Sequence, residues 1–96
     1  MYAIAIIRYR RPLEDVLTHQ DAHRSYLRGL KENGVVIASG PMDPRFGGLC
    51  LLRVPDEDSS VLDTLRDNDP FVQNGVAQYE LIRWAPVIGK DDLDTL

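Results

Sequence analysis

The sequence predicts an α+β protein of ferredoxin-like type, β-α-β-β-α-β, in which a four-stranded antiparallel sheet carries two helices on one face. Three observations predict it. The chain has 96 residues, enough for a single domain spanning 1–96 and too few for a nucleotide-binding unit with a second domain or for a TIM barrel. Apolar residues make up 44% and charged residues 27%, the balance of a chain that folds. Short β-branched or alternating runs and two helix-patterned segments then follow one another in that order.

Residues 2–9, rich in Ile, Ala and Tyr, show no helical spacing and end at Arg10-Arg11-Pro12, so they read as the first strand. Residues 13–32 form one long helix, stopped by Asn33-Gly34, where Asn or Gly can take the left-handed backbone of a helix C-terminus. The β-branched run 35–39 makes the second strand, ended by Gly40-Pro41, and 46–54 makes the third after the turn-rich Met42-Asp43-Pro44-Arg45. Residues 55–60 offer several capping side chains. Val61, Leu62 and Leu65 recur at helical spacing, so the second helix runs to about Arg66 and Asn68-Asp69-Pro70 breaks it. Residues 71–75 suit one short helical turn, 76–87 the last strand, and 89–96 an acidic, mobile tail.

Both faces of this sheet are apolar. Ile4 and Ile6 oppose Ala5 and Ile7; Leu49 and Leu51 oppose Cys50 and Leu52; Ala77, Tyr79 and Leu81 oppose Ile82 and Trp84. Two helices cover one face only, and monomers rarely expose a sheet-sized apolar patch. A homodimer through the second sheet face is therefore expected.

The net charge is −4, with 11 Lys and Arg against 15 Asp and Glu, which argues against nucleic acid or an anionic membrane as partner. Arg8, Arg10 and Arg11 are too few to reverse that balance. A single cysteine, Cys50, forms no internal disulfide and fits a reducing, cytoplasmic setting. The apolar N-terminus lacks the basic stretch and small-residue cleavage site of a signal peptide. No apolar stretch reaches the roughly 20 residues of a membrane span.

His23 is the most informative side chain. At about 100° per residue, Val16, Tyr26, Leu27 and Leu30 lie within about 60° of it, so it sits on the apolar stripe of the first helix. There it is either a core histidine bonded to backbone or a general base on the floor of a cleft. His19, one turn earlier, has the spacing to share a metal, but no third ligand is evident and it reads as a helix residue. Asp69 before Pro70 is an N-cap by position; its second oxygen is free to orient an imidazole. Ser39-Gly40-Pro41 is either turn punctuation or a corner where a ligand approaches the backbone. Gly47-Gly48 lacks the context of a phosphate loop, and Cys50 in apolar company reads as core filler. Tyr9, Phe46, Phe71 and Trp84 either line a flat pocket or pack the core.

Asp21-Ala22-His23-Arg24-Ser25-Tyr26-Leu27, the Ala38-Ser39-Gly40-Pro41 corner, and Asn68-Asp69-Pro70-Phe71 followed by Gly75 and Val76 resemble the YciI-like (YCII-related) family. The resemblance runs from the first strand to Trp84. It implies a dimeric α/β barrel and a His-Asp pair at His23 and Asp69. The activity it implies is a cofactor-independent lyase that eliminates HCl from a chlorinated hydroxyhydroquinone in chloroaromatic degradation. On that resemblance His23 takes the proton and Asp69 orients and charge-balances it. Ser39, Gly40, Pro41, Arg8 and Phe71 would bind the small aromatic substrate, and no metal is required. The alternatives are a non-catalytic small-molecule-binding domain and a cofactor-free monooxygenase or isomerase.

Overall fold

A computed structural model describes residues 1–55 and 58–96. The elements run β1 (Tyr2–Tyr9), α1 (Leu13–Thr18), α2 (Gln20–Glu32), β2 (Val36–Pro41), β3 (Gly47–Arg53), α3 (Ser60–Asp67), α4 (Pro70–Gln73), β4 (Ala77–Trp84) and α5 (Lys90–Asp94). The sheet has four strands in the order β2-β3-β1-β4, every neighbouring pair antiparallel. This is the expected ferredoxin-like fold.

One face of the sheet is the core. Ala3, Ala5 and Ile7 of β1, Cys50 and Leu52 of β3 and Ala77 of β4 are buried with Val16, Leu27, Leu62, Leu65 and Phe71 from the helices. Strand alternation sends the next residues to the other side, where Leu49 is 46% exposed and Ile82 and Trp84 are each 40% exposed. Ile4 and Ile6 sit between them, paired across β1 with Leu51 and Leu49 of β3.

The helix expected over residues 13–32 is two helices. His19 (φ −107°, ψ 6°) closes α1 and opens α2. The Thr18 hydroxyl donates to the Glu14 carbonyl one turn back at 3.2 Å, a side-chain bond that bends helices. The stop after α2 is as expected. Gly34 has φ 79°, and the Gly34 and Val35 amides donate to the Lys31 and Leu30 carbonyls at 3.1 and 2.9 Å, the bond pattern of a Schellman cap.

The C-terminal segment is also not the featureless tail expected from its polarity. It forms α5, tied back to the sheet: the Tyr2 hydroxyl donates to Asp94 at 2.5 Å and Arg53 donates to the Leu93 carbonyl at 3.0 Å. In the segment expected to cap α3, Asp56 and Glu57 lie outside the described residues. Asp58 accepts from the Ser60 amide at 2.9 Å. Among the described residues no helix is long and apolar enough to cross a membrane.

Candidate active site

The site is assembled around α4, a helix of four residues with a signal at each end. Asp69 (φ −72°, ψ 126°) is its N-cap and accepts from the Phe71 amide at 2.9 Å, while Pro70 supplies a preset φ at the first helical position. Gly75 (φ 69°) ends it, with the Gly75 and Val76 amides donating to the Val72 and Phe71 carbonyls at 3.1 and 3.0 Å. This punctuation holds Asp69 and Phe71 rigidly beneath α2.

His23 projects from the buried side of α2 onto both. Its Nδ1 lies 2.8 Å from Asp69 Oδ1 and 2.9 Å from Oδ2, and its ring stacks on Phe71 with centroids 3.8 Å apart and planes 3° apart. A carboxylate at Asp69 can only accept, so in that pairing Nδ1 is the donor and a neutral imidazole would carry its lone pair on Nε2. Asp69 is fully buried and also accepts from the Tyr79 hydroxyl. Burial and the Asp69 charge together push the Tyr79 phenol far above its ordinary ionisation range. It therefore acts as a fixed donor.

Among the described residues no buried side-chain nitrogen or oxygen lacks a partner, and none of those residues bonds Nε2 of His23. Nε2 therefore reaches open space. That space is a cleft of about 490 Å3 between α2 and the edge strand β2, lined by His23 and Phe71 together with Ser39, Gly40 and Pro41, large enough to admit a small aromatic ligand.

A bulge in β2 brings Ser39 to this side. Val36 pairs with Leu52 and Ala38 with Leu51, so Ile37 is an extra residue that shifts the alternation. Without it Ser39 would face away from His23. Its hydroxyl instead meets the Cys50 thiol at 3.2 Å. Burial pushes that thiol up, opposed in part by the Ser39 contact, so Cys50 stays protonated at neutral pH and is no nucleophile.

Six of the seven expected site residues thus meet here: His23, Ser39, Gly40, Pro41 and Phe71 line the cleft, and Asp69 stands directly behind His23. Arg8 does not. It follows Ile7 on β1, so alternation turns it to the opposite sheet face, where it pairs with Glu80 at 2.8 Å. Of the aromatic residues, Tyr9 lines the cleft edge-on to Phe71, 6.2 Å between centroids, whereas Phe46 is 61% exposed and Trp84 lies on the open face. The cationic groups at the cleft are Arg24, Arg28, Lys31 and Arg45, which sequence reasoning overlooked. The spacing of the first three along one helix was a signal for them; Arg45, in a turn, had none. Among the described residues no three His, Cys, Asp or Glu side chains gather as a metal-binding group.

A buried His-Asp pair opening on a cleft, built on a ferredoxin-like sheet, defines a small α+β protein. The sequence profile of the YCII-related domain matches residues 1–85, and the chain belongs to that family. Among proteins of curated function none matches it. Among solved structures its fold is similar to 5-chloro-2-hydroxyhydroquinone dehydrochlorinase from Burkholderia phenoliruptrix AC1100 in complex with 2,5-dihydroxybenzoquinone. The TM-score is 0.75 at 23% sequence identity, over 92% of this chain and 97% of that one.

Proposed function

We propose that this chain is a carbon-halide lyase that eliminates HCl from a chlorinated hydroxyhydroquinone, with His23 as general base and Asp69 as its orienting partner. The observation that carries the reading is the free Nε2 of His23, its tautomer set by Asp69 from behind, facing a cleft that admits a small aromatic ligand. The fold similarity to a dehydrochlorinase supports the choice of reaction.

In this reading Nε2 takes a hydroxyl proton from the substrate. The resulting imidazolium delivers it to the chlorine-bearing ring carbon, giving the keto tautomer. A second hydroxyl proton then leaves to His23, its O–H electron pair becomes a C=O bond, and the C–Cl bond breaks to release chloride and a hydroxyquinone. The ring gains a carbonyl as carbon loses chloride, so the electrons balance without an external oxidant. The Ser39 hydroxyl, at the cleft wall, suits the developing oxyanion.

The test is chloride release from a panel of chlorinated hydroquinones, without added metal or nicotinamide and with and without oxygen. Oxygen-independent chloride release is expected. Tight binding of the same compounds with no chloride from any of them would replace the lyase with a binding domain, and strict oxygen dependence would point to a monooxygenase.

We further propose that a second copy of this chain covers the open sheet face. Ile4, Ile6, Leu49, Leu51, Ile82 and Trp84 make that face apolar over three adjacent strands, and a two-fold contact sets each patch on its own copy.

A further inference from the structure

We propose that the cleft takes its ligand as an organic anion, an ionised phenol or quinone-enol oxygen, and that Arg45 is the residue that sets this preference. The inference rests on the proposed ring-shaped substrate and not on its turnover. The chain is acidic, with 15 Asp and Glu against 11 Lys and Arg, yet the cleft lining includes Arg24, Arg28, Lys31 and Arg45 and no carboxylate. Asp69 is walled off behind the imidazole, wholly buried and engaged by His23, Tyr79 and the Phe71 amide.

The arrangement is directional. Arg24, Arg28 and Lys31 follow one another at i, i+4 and i+7, so at about 100° per residue they form one ridge beside the His23 stripe. Arg45 faces that ridge from the β2–β3 turn. Its Nε donates to the Tyr9 hydroxyl at 3.2 Å and one terminal nitrogen donates to the Gln20 side-chain carbonyl. Both partners are neutral. They fix the guanidinium without cancelling its charge, and no described residue bonds its other terminal nitrogen, which is the condition for a charge-assisted bond to an incoming oxyanion. No carboxylate among the described residues pairs with any of the four cations. A bound anion would also offset the imidazolium formed when His23 takes a proton.

The experiment compares two probes by calorimetry: 2,5-dihydroxybenzoquinone, a vinylogous acid that is anionic at neutral pH, and its uncharged dimethyl ether, 2,5-dimethoxybenzoquinone. The wild-type chain is expected to bind the anion at least about tenfold more tightly. That preference should shrink at about 0.5 M salt, vanish in Arg45→Gln and survive in part in Arg45→Lys, with far-UV circular dichroism unchanged. Equal affinity for the two probes, a preference that persists in Arg45→Gln, or no binding of either probe would overturn the proposal. Anion preference without chloride release from any chlorinated hydroquinone would remove the lyase reading and leave this one standing. Chloride release without anion preference would do the reverse.

Discussion

The imidazole of His23 lies flat on the ring of Phe71, 3.8 Å between centroids, while its Nδ1 is held by Asp69, the residue that caps the same short helix. Two residues of one turn thus fix the imidazole by edge and by face. The stack and the Nδ1 bond together hold the ring in one orientation, with His23 lining the cleft. Pre-orientation of this kind is what a positioned base requires.

Replacing His23 by Ala is expected to lower chloride release by about 10²- to 10⁴-fold, the usual contribution of a general base. The fold should survive, because Asp69 keeps the Phe71 amide and the Tyr79 hydroxyl as donors. Steady-state chloride assays and a melting curve on the same preparation check this. Undiminished turnover would remove His23 from the mechanism.

Tyr79→Phe should weaken the protein at neutral pH by about 1–3 kcal/mol, since one donor to a buried carboxylate is lost. The effect has a pH signature. In the folded chain the Tyr79 phenol stays protonated well beyond its ordinary value of 10.0, so above that pH the unfolded chain holds one proton fewer than the folded one. Tyr79 stabilisation is complete below pH 10 and falls by about 1.4 kcal/mol per pH unit above it. Urea unfolding between pH 9 and 11 should show that slope in the wild type and a shallower one in Tyr79→Phe. Tyr26, also pushed up by burial and by Asp69, leaves a residual slope of the same sign.

Leu49→Arg or Ile82→Lys puts a charge into the middle of the open sheet face, where these side chains are 46% and 40% exposed. Sedimentation velocity should show a two-fold assembly for the wild type and a monomer for either variant, because a buried unpaired charge at an interface costs several kcal/mol. A wild-type chain that sediments as a monomer would dispose of the assembly.

Gly47→Ala should destabilise the fold by about 1–3 kcal/mol or more. A Cβ there would stand 2.3 Å from the Ile7 carbonyl oxygen, and a backbone atom within a β ladder has little room to yield. Denaturant midpoints provide the measurement. Gly34 offers a contrast: it has open space around it but φ 79°, so Gly34→Ala acts through backbone strain alone.

Where local chemistry decided structure, the linear sequence was sufficient. β1 begins and ends where composition and Pro12 put it, Gly34 stops α2, and Asp69 before Pro70 caps α4; each depends on a residue and its immediate neighbours. The apolar stripe through Val16, His23 and Leu27 likewise placed the imidazole in the core, since helical periodicity is a local property.

What the tertiary structure alone decided is which distant groups share a space. Asp69 reaches His23 across 46 positions of chain, and Tyr79 joins them from another strand. The β2 bulge, invisible in composition, turns Ser39 toward the cleft, while strict alternation in β1 turns Arg8 away and leaves the guanidinium position to Arg45. The C-terminal helix, whose sequence has no apolar stripe, is held by Tyr2 and Arg53 from the far end of the sheet. Caps and periodicities are written in neighbouring residues, whereas register, bulges and long-range polar contacts depend on the sum of packing over the whole sheet.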